Sequence, residues 1–270
     1  MTDFSQKRVL ITGAASGIGR LMAKEIGQAG GELILWDINE AGLREFHNEL
    51  LKQGIVVTSY ICDLSVREMV QSVAETVLKE GGAVDILINN AGIISGKTLL
   101  EIPAEMIEKT FQVNTLANFW TVRAFLPAMF EKDQGHIITI ASAAGLVGSS
   151  RLSDYSASKF AAVGFTESLR MELKRLGSKV RTTVVCPFFI DTGMFTGAKT
   201  RFNFLLPILT PEYSVRRILR AIRRNKARLI MPRFAYLNFP LRLLPVPAFD
   251  WLMEFFGINK SMDEFTGRGN

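Results

Sequence analysis

The chain contains 270 residues, of which 48% are hydrophobic and 21% are charged, a composition that excludes an intrinsically disordered protein. Its two cysteines exclude a disulfide-stapled fold, and its two histidines lie far from each other and from any cysteine, so no metal site is predicted. The net charge of +6 is local, because residues 213–249 contain nine basic residues and no acidic one.

Short β-branched segments alternate with amphipathic segments of helical length from residue 7 onward. The predicted strands are 8–12, 32–36, 56–62, 84–90, 136–142 and 180–187, and the predicted helices are 17–29, 40–53 and 66–80. This alternation predicts an α/β fold with a doubly wound parallel sheet (Rossmann), in a single domain over residues 1–270. The regular sheet is expected to end near residue 195, and residues 193–270 to form a substrate lid and a C-terminal extension.

The location of the protein is predicted from what the sequence contains. It begins directly with a predicted strand, and no uncharged apolar run reaches the roughly 18 residues that a membrane-spanning helix needs. The two cysteines are expected to be reduced and buried. We therefore predict a cytoplasmic protein that is not secreted, with attachment to a membrane surface left open by the C-terminal region.

A glycine-rich segment, TGAASGIG (12–19), follows the first predicted strand. Small residues at a strand-to-helix turn let the backbone approach a pyrophosphate, whose charge the helix N-terminus stabilises. An ordinary glycine-rich turn is the alternative, but the strand before it and the helix after it favour a nucleotide site. The residues predicted to bind the cofactor here are Gly13, Ser16, Gly17, Ile18 and Gly19.

Asp37 ends the second predicted strand, about 20 residues beyond the glycines. A carboxylate at this point is expected to accept hydrogen bonds from the adenosine ribose hydroxyls and to repel a 2′-phosphate. The sequence therefore favours NAD over NADP, and a solvated strand end is the alternative interpretation of Asp37.

The third and fourth predicted strands also end in polar and small residues. The carboxyl ends of parallel strands are where open α/β sheets bind ligands, so Asp63 is expected near the adenine and Ala91–Gly92 near the adenosine ribose and the diphosphate. Asn89 and Asn90 are also common turn formers. The cofactor residues predicted at these strand ends are Asp63, Leu64, Asn90, Ala91 and Gly92.

The candidate catalytic residues come later in the chain. In YSASK, Tyr155 and Lys159 would lie on one face of a helix, roughly 6 Å apart. Such a pair is either a surface coincidence or a tuned proton donor. Ser142 ends the strand thirteen residues before Tyr155, and Asn114 interrupts an otherwise helical segment.

The segments TGAASGIG and NNAG, Asn114, Ser142 and YSASK, in this order and spacing, resemble the short-chain dehydrogenase/reductase superfamily over about residues 7–195. The resemblance implies that Tyr155 is the general acid and base. Lys159 and the positive nicotinamide are expected to lower the pKa of Tyr155 toward the operating pH. It also implies that Lys159 holds the nicotinamide ribose, that Ser142 positions the substrate oxygen, and that Asn114 holds a water linking Lys159 to solvent.

The sixth predicted strand is followed by CPFFIDTGM, in which Pro187, Ile190 and Thr192 fit the nicotinamide contacts of that superfamily. Phe188 stands where the superfamily usually has glycine, and its bulk indicates an apolar substrate pocket. The next segment, 193–210, is well placed to be a lid. The residues expected to line an apolar cleft there are Phe195, Phe202, Phe204, Leu205 and Leu206.

Three further segments, LWDIN (35–39), CPFFIDTGMF (186–195) and KSMDEFTGR (260–268), are similar to the hydroxysteroid, retinol and epidermal-type retinal dehydrogenase branch. We therefore predict an NAD-dependent oxidoreductase that interconverts an alcohol and a carbonyl on a hydrophobic small molecule such as a steroid, a retinoid or a long-chain alcohol. The alternatives are an NADP-linked ketoreductase and a non-catalytic nucleotide-sensing or lipid-surface protein. The resemblance also implies a homodimer or homotetramer formed through the helices of Asn114 and Tyr155.

The C-terminal region contains a predicted helix that begins at the cap Thr210–Pro211–Glu212. Its apolar stripe and its arginines make it a basic amphipathic helix, and the apolar segment 234–258 follows it. Peripheral membrane contact through 213–258 is one interpretation. The other is that the stripe packs on the sheet and the later segment roofs the substrate pocket. Nucleic-acid binding is not predicted, because no basic module with stacking aromatics is present.

Overall fold

The structure, a computed structural model, describes residues 1–267. The last residue of the motif at 260–268, and the end of the domain predicted over 1–270, lie outside the described residues.

The described residues form a parallel sheet of seven strands with helices on both faces, and this confirms the predicted α/β fold. The strands are β1 Arg8–Thr12, β2 Glu32–Asp37, β3 Val57–Ile61, β4 Ile86–Asn89, β5 His136–Ile140, β6 Arg181–Pro187 and β7 Arg228–Met231. Their order is β3-β2-β1-β4-β5-β6-β7, so the direction of strand addition reverses between β1 and β4. Ligands of doubly wound sheets bind outside the carboxyl ends of the strands at such a point.

The helices connect these strands and cover the sheet. They are α1 Gly17–Gln28, α2 Glu40–Lys52, α3 Arg67–Gly81, α4 Ala104–Phe111, α5 Ala117–Glu131, α6 Ser153–Arg175, α7 Pro211–Arg223, α8 Asn238–Leu241 and α9 Val246–Phe255. A π-helical segment, Gln112–Leu116, joins α4 to α5 at the place where the sequence predicted an interrupted helix.

The strands are buried on both faces because each face packs against a layer of helices. Val9 and Ile11 of β1 belong to one apolar core, while Leu10 of the same strand belongs to the core on the opposite face. Side chains of a strand alternate between the two faces, so a strand covered on both sides reads as a continuous apolar run. This explains why RVLIT and ILIN could be recognised as strands.

The sheet continues beyond residue 195, where the sequence analysis had ended it. Helix α7 returns the chain to the sheet, and β7 pairs with β6 from Arg228 to Met231. The apolar stripe of α7 is buried in the core, including Val215, Ile218 and Ile222. The stripe therefore packs on the sheet and is not available to a membrane. This rules out α7 as a source of apolar membrane contact within the predicted region 213–258.

Among residues 1–267, no helix combines the length and the apolar character that crossing a bilayer requires.

His136 begins β5 and is buried under the N-terminal segment. Its two ring nitrogens lie 3.0 Å from the Thr2 hydroxyl and 2.8 Å from the Thr183 hydroxyl. Burial lowers the pKa of His136 from 6.5 to about 4, and the charge of Arg181 acts in the same direction. Between these two pH values the unfolded chain binds more protons than the folded protein does, so acidification favours unfolding.

We expect the free energy of unfolding to fall by about 3 kcal/mol from this residue alone as the pH drops from 6.5 to 4. Urea unfolding measured across this window in the wild type and in His136→Gln gives the comparison. Carboxylates that titrate in the same window act in both proteins, so only the difference between the two curves reports on His136. Parallel curves would contradict a buried, neutral imidazole.

Candidate active site

A cleft crosses the carboxyl edge of the sheet, where the strand order reverses. It brings together nearly all the residues predicted to bind the cofactor, together with Ser142. The predicted cofactor residues that line it are Gly13, Ser16, Gly17, Ile18, Asp37, Asp63, Leu64, Asn90, Ala91, Gly92, Tyr155, Lys159, Pro187, Ile190 and Thr192. Gly19 does not line the cleft. It affects the shape of the cleft because it packs directly against the Gly13 carbonyl oxygen.

The glycine turn is shaped by close backbone approaches. Gly13 and Gly17 have φ values of +65° and +56°, which favour glycine. A Cβ at Gly13 would lie 2.9 Å from the Ala91 Cα, and a Cβ at Gly19 would lie 2.1 Å from the Gly13 carbonyl oxygen. Helix α1 therefore starts directly against the turn, and its N-terminus opens into the cleft as a pyrophosphate site requires.

Thr12, which the sequence analysis did not single out, ties this turn to the end of β4. Its hydroxyl accepts hydrogen bonds from the backbone N–H groups of Asn90, at 3.0 Å, and Ala91, at 3.1 Å. The Asn90 side chain donates in return to the Thr12 and Gly13 carbonyl oxygens. Thr12 and Asn90 thus hold together the two loops on which the phosphate and ribose sites would be built.

Asp37 ends β2 and lines the cleft. One carboxylate oxygen accepts a hydrogen bond from the Ala15 N–H at 2.9 Å, and the other accepts one from the Asn39 N–H, also at 2.9 Å. Each carboxylate oxygen can accept a second bond, so both remain able to receive ribose hydroxyls. The Ala15 contact also fixes the glycine turn relative to β2.

Tyr155 and Lys159 lie on α6, and both are buried. The Lys159 Nζ is 5.6 Å from the centroid of the Tyr155 ring and donates a hydrogen bond to the Ile140 carbonyl oxygen at 3.0 Å. Ser142 lies two residues beyond β5, where its hydroxyl acts on the pKa of the Tyr155 side chain. Its Oγ donates a long hydrogen bond to the Pro187 carbonyl oxygen at 3.4 Å and accepts one from the Ala144 N–H at 3.1 Å. The structure therefore brings Ser142, Tyr155 and Lys159 to one point of the cleft.

The expected lowering of the pKa of Tyr155 is not produced by the protein's own groups. Burial raises the pKa of Tyr155 to about 12, and the hydrogen bond with Ser142 opposes this only partly. Burial also lowers the pKa of Lys159 to about 8, although the nearby Cys186 acts in the other direction. An enclosed site favours the neutral form of both side chains. The expected lowering of the pKa of Tyr155 also relied on the positive nicotinamide, so it stays a prediction for the cofactor-bound protein.

Asn114 lies in the π-helical segment and is buried. Its Oδ1 accepts a hydrogen bond from the Ile93 N–H at 2.8 Å, and its Nδ2 donates to the Ile93 carbonyl oxygen and to the Ser158 hydroxyl. A Cβ at Gly92 would lie 3.3 Å from both Asn114 Oδ1 and Lys159 Nζ. Asn114 therefore fastens the loop after β4 to α6, beside Lys159.

Asp154 was also missed by the sequence analysis. It is buried next to Tyr155 in the first turn of α6. One of its carboxylate oxygens accepts from the Ser95 hydroxyl at 2.8 Å and the other from the Thr110 hydroxyl at 3.0 Å. Its partners are far away in the chain, so only the folded structure identifies it.

An almost entirely apolar cavity adjoins the cofactor cleft and shares Ser142, Tyr155, Phe188 and Phe195 with it. The C-terminal part of the chain contributes much of its lining: Phe234, Ala235, Leu237, Asn238, Leu241, Met253, Phe256, Ile258 and Ser261. This agrees with the interpretation in which the segment after α7 roofs the substrate pocket.

The segment 193–210 contributes fewer residues to this cavity than the sequence suggested. Phe195 and Leu206 line it, and the Phe195 ring meets the Tyr155 ring edge-on with a centroid distance of 5.9 Å. Phe204 is 81% exposed, and Phe202 packs instead on the ring of Phe255. Phe202, Phe204 and Leu205 are not among the residues that line the cavity, so this part of the prediction is wrong.

Comparisons with known proteins agree with this architecture. The short chain dehydrogenase family model matches residues 7–201. The chain is 48% identical to short-chain dehydrogenase/reductase family 16C member 6 of Bos taurus, over 98% of this chain and 85% of that protein. It is 47% identical to epidermal retinol dehydrogenase 2 of Mus musculus, over 96% of this chain and 85% of that protein.

A solved short-chain dehydrogenase/reductase from Burkholderia phymatum, in complex with NAD, superimposes with a TM-score of 0.81 at 29% identity. The match covers 90% of this chain and 95% of that one. A metagenomic short-chain oxidoreductase in complex with NADP matches at 33% identity with a TM-score of 0.65, over 69% of this chain and 84% of that one. The chain therefore belongs to the short-chain dehydrogenase/reductase family of oxidoreductases, as its sequence motifs predicted.

Proposed function

We propose that the protein is an NAD-dependent oxidoreductase that interconverts an alcohol and a ketone or aldehyde on a hydrophobic small molecule. One observation carries the proposal: Ser142 and Tyr155 line both the cofactor cleft and the apolar cavity. Side chains shared by two adjoining clefts can touch a molecule in each. This arrangement supports proton transfer by Tyr155 to or from a substrate held beside the nucleotide.

The proposed chemistry pairs a hydride transfer with a proton transfer. When bound, NAD supplies C4 of the nicotinamide ring as the hydride acceptor. The Tyr155 phenolate takes the hydroxyl proton of the alcohol as its carbon loses the hydride, and in reverse the phenol returns that proton to the carbonyl oxygen. Lys159, which is charged below its pKa of about 8, stabilises the phenolate, and Ser142 donates a hydrogen bond to the substrate oxygen.

The cofactor residues proposed from the sequence fit a dinucleotide in the order of the strands: the glycine turn for the diphosphate, Asp37 for the adenosine ribose, and Lys159 for the nicotinamide ribose. Solved relatives that bind NAD and NADP support a nicotinamide cofactor of either kind. We favour NAD because the Asp37 carboxylate would repel a 2′-phosphate. Asn114, fixed beside Lys159, is proposed to hold the water that links Lys159 to solvent.

The proposed substrate is hydrophobic because the cavity is apolar and because relatives bear the name retinol dehydrogenase. A steroid, a retinoid and a long-chain alcohol all suit such a lining. The test is the appearance of NADH absorbance when purified protein, NAD and a panel of these alcohols are combined. Faster turnover with NADP would favour the ketoreductase alternative. No turnover of any alcohol or ketone across the panel would favour a non-catalytic nucleotide-binding protein.

Two properties of the assembled protein are proposed as well. Phe119 of α5 is 38% exposed and packs against Phe165 of α6 with the two rings tilted, and Met171 on α6 is 54% exposed. Apolar side chains at the surface of these two helices support a homodimer or homotetramer formed through them. The two cysteines are free and buried, which suits the proposed cytoplasmic location.

We also propose that the protein contacts a membrane surface through α9 and the loop before it. Leu243, Val246, Trp251 and Phe255 are 87%, 71%, 63% and 43% exposed, and we call this group the apolar C-terminal face. Met253 is the only buried residue of α9. Two exposed arginines lie beside this face: Arg242 directly precedes Leu243, and Arg201 lies over the Phe255 ring. Because Leu241, Met253 and Phe256 line the cavity beneath, a lipid surface here would adjoin the substrate site.

We expect Trp251→Glu to reduce the fraction of protein that floats with vesicles of phosphatidylcholine and phosphatidylserine by about tenfold, because a charge must then enter the interface. Leu176→Glu is the matched control, since Leu176 is 65% exposed but follows α6, at the amino edge of the sheet. Equal flotation of the two variants, or no flotation of the wild type, would contradict the contact.

A further inference from the structure

Residues 261–266 return to the active site, and the proposed reaction gives them no role; we call them the C-terminal strap. Their anchor is Met262, which is fully buried. It belongs to an apolar cluster that also contains Tyr155, Phe189 and Ala198. The strap therefore packs close to the proposed acid and base.

Backbone hydrogen bonds attach the strap to the loop that follows β6. The Lys199 N–H donates to the Ser261 carbonyl oxygen at 2.9 Å, and the Thr266 N–H donates to the Thr196 carbonyl oxygen, also at 2.9 Å. The Lys199 ammonium forms an ion pair with the Glu264 carboxylate as well. Both ends of the strap are thus fixed to one loop.

The ring of Phe265 reaches a second loop, the one that follows β4. At Gly96 of that loop, a Cβ would lie 2.0 Å from the Phe265 Cε1, so the ring packs directly on the Gly96 backbone. Ile94 of the same loop and Phe265 both pack against the cluster that contains Met262. Phe265 therefore joins the loop after β4 to a strap that is already attached to the loop after β6.

These two loops form two walls of the cofactor cleft. Ile93 lines the cleft from the loop after β4, and Met194 and Phe195 line it from the loop after β6. Strand β5 lies between β4 and β6, so the two loops leave the sheet about 10 Å apart. Ser142, which follows β5, lines the cleft between them. The strap spans this gap at the end of the cleft where Tyr155 lies.

We infer that Phe265 is a positioning residue of the cofactor site, which acts by holding the two walls of the cleft together. A dinucleotide bound between these walls leaves faster once the strap releases one of them. A contact between loops can open without unfolding the sheet, because few buried side chains are involved. The inference rests on the proposed cofactor, but not on the proposed substrate or on proton transfer by Tyr155.

The experiment measures the dissociation rate of NADH in stopped flow, from the loss of its fluorescence when the complex is mixed with an excess of NAD. NADPH and NADP take their place if the protein binds NADPH more tightly. We expect Phe265→Ala to raise this rate about tenfold, because the loss of a partly buried ring weakens the closed arrangement by a similar factor. Phe204→Ala is the matched control: Phe204 lies on the loop after β6 but is 81% exposed, so the rate should not change.

Gly96→Ala tests the same contact from the other side. The added methyl group collides with the Phe265 ring, so the dissociation rate should rise as it does in Phe265→Ala. Gly82→Ala is the control for backbone strain, since Gly82 has a φ of +76° against +68° at Gly96, but has open space where its Cβ would lie. With both Gly96→Ala and Phe265→Ala present, the rate should not exceed that of Phe265→Ala alone, because the methyl group then has no ring to displace.

A dissociation rate within about twofold of the wild type in Phe265→Ala overturns the inference. Equal effects of Phe265→Ala and Phe204→Ala, or additive effects in the double variant, do so too. If the wild type binds neither NADH nor NADPH, the proposed function fails as well, and this is seen before any variant is made. If the wild type binds the cofactor but oxidises no alcohol, the dissociation rates still decide the role of Phe265.

Discussion

Replacing Tyr155 by phenylalanine should lower kcat for alcohol oxidation by about 1,000-fold, within the range that general acid–base catalysis contributes. The substitution removes only the hydroxyl. The ring stays in contact with Phe195, and Tyr155 is already buried, so no large cavity forms. We therefore expect KM for NAD and the unfolding temperature to change little. Steady-state rates, NADH fluorescence titration and thermal unfolding measure the three quantities.

Tyr213→Phe is the matched control for this prediction. Tyr213 is exposed on α7, and its hydroxyl only accepts a hydrogen bond from Arg217. Loss of the hydroxyl in Tyr213→Phe should leave kcat unchanged. A loss of less than tenfold in Tyr155→Phe, or an equal loss in both variants, would show that Tyr155 is not the acid and base.

The pH dependence gives the same test a second readout. Oxidation needs the phenolate of Tyr155, whose pKa the protein itself raises to about 12, so the oxidation rate should rise with pH through the neutral range. Reduction needs the protonated phenol, so the reduction rate should not rise with pH. Tyr155→Phe should lose the rise of the oxidation rate, which a merely structural role of the ring would leave in place.

The sequence predicted the fold well wherever the signal was local. Strands such as RVLIT are continuous apolar runs because both faces of the sheet are covered, and the glycine turn must contain glycine because Gly13 has a positive φ and Gly19 meets the Gly13 carbonyl. Strand β7 was missed because RLIM is only four residues long, is preceded by basic residues, and becomes a strand through its pairing with β6.

Long-range contacts explain what the sequence could not show of the site. The Asp154 carboxylate accepts hydrogen bonds from Ser95 and Thr110, and the NH₂ group of Asn238 donates one to Leu146, partners that no local spacing connects. The pKa of Tyr155 also depends on how completely the folded chain encloses it, an effect that the spacing to Lys159 does not reveal. Motifs therefore identify the groups present, while burial decides their protonation.

Asp37→Ala should reduce the preference for NAD over NADP by about 100-fold, expressed as the ratio of the two dissociation constants. In the wild type, the Asp37 carboxylate offers two charged acceptors to the ribose hydroxyls and repels a 2′-phosphate. Each hydrogen bond to a charged group is worth about 1.5–3 kcal/mol. Fluorescence titration with NADH and NADPH measures both constants without any substrate.

Asp37→Asn separates charge from geometry in the same experiment. Its amide can still accept a hydrogen bond from the Ala15 N–H, which in the wild type meets the carboxylate at 2.9 Å, so the glycine turn keeps its position on β2. If repulsion by the charge sets the preference, NADPH should gain affinity in this variant as it does in Asp37→Ala. If both variants lose affinity for the two cofactors equally, Asp37 only supports the glycine turn, and the preference for NAD must arise elsewhere in the cleft.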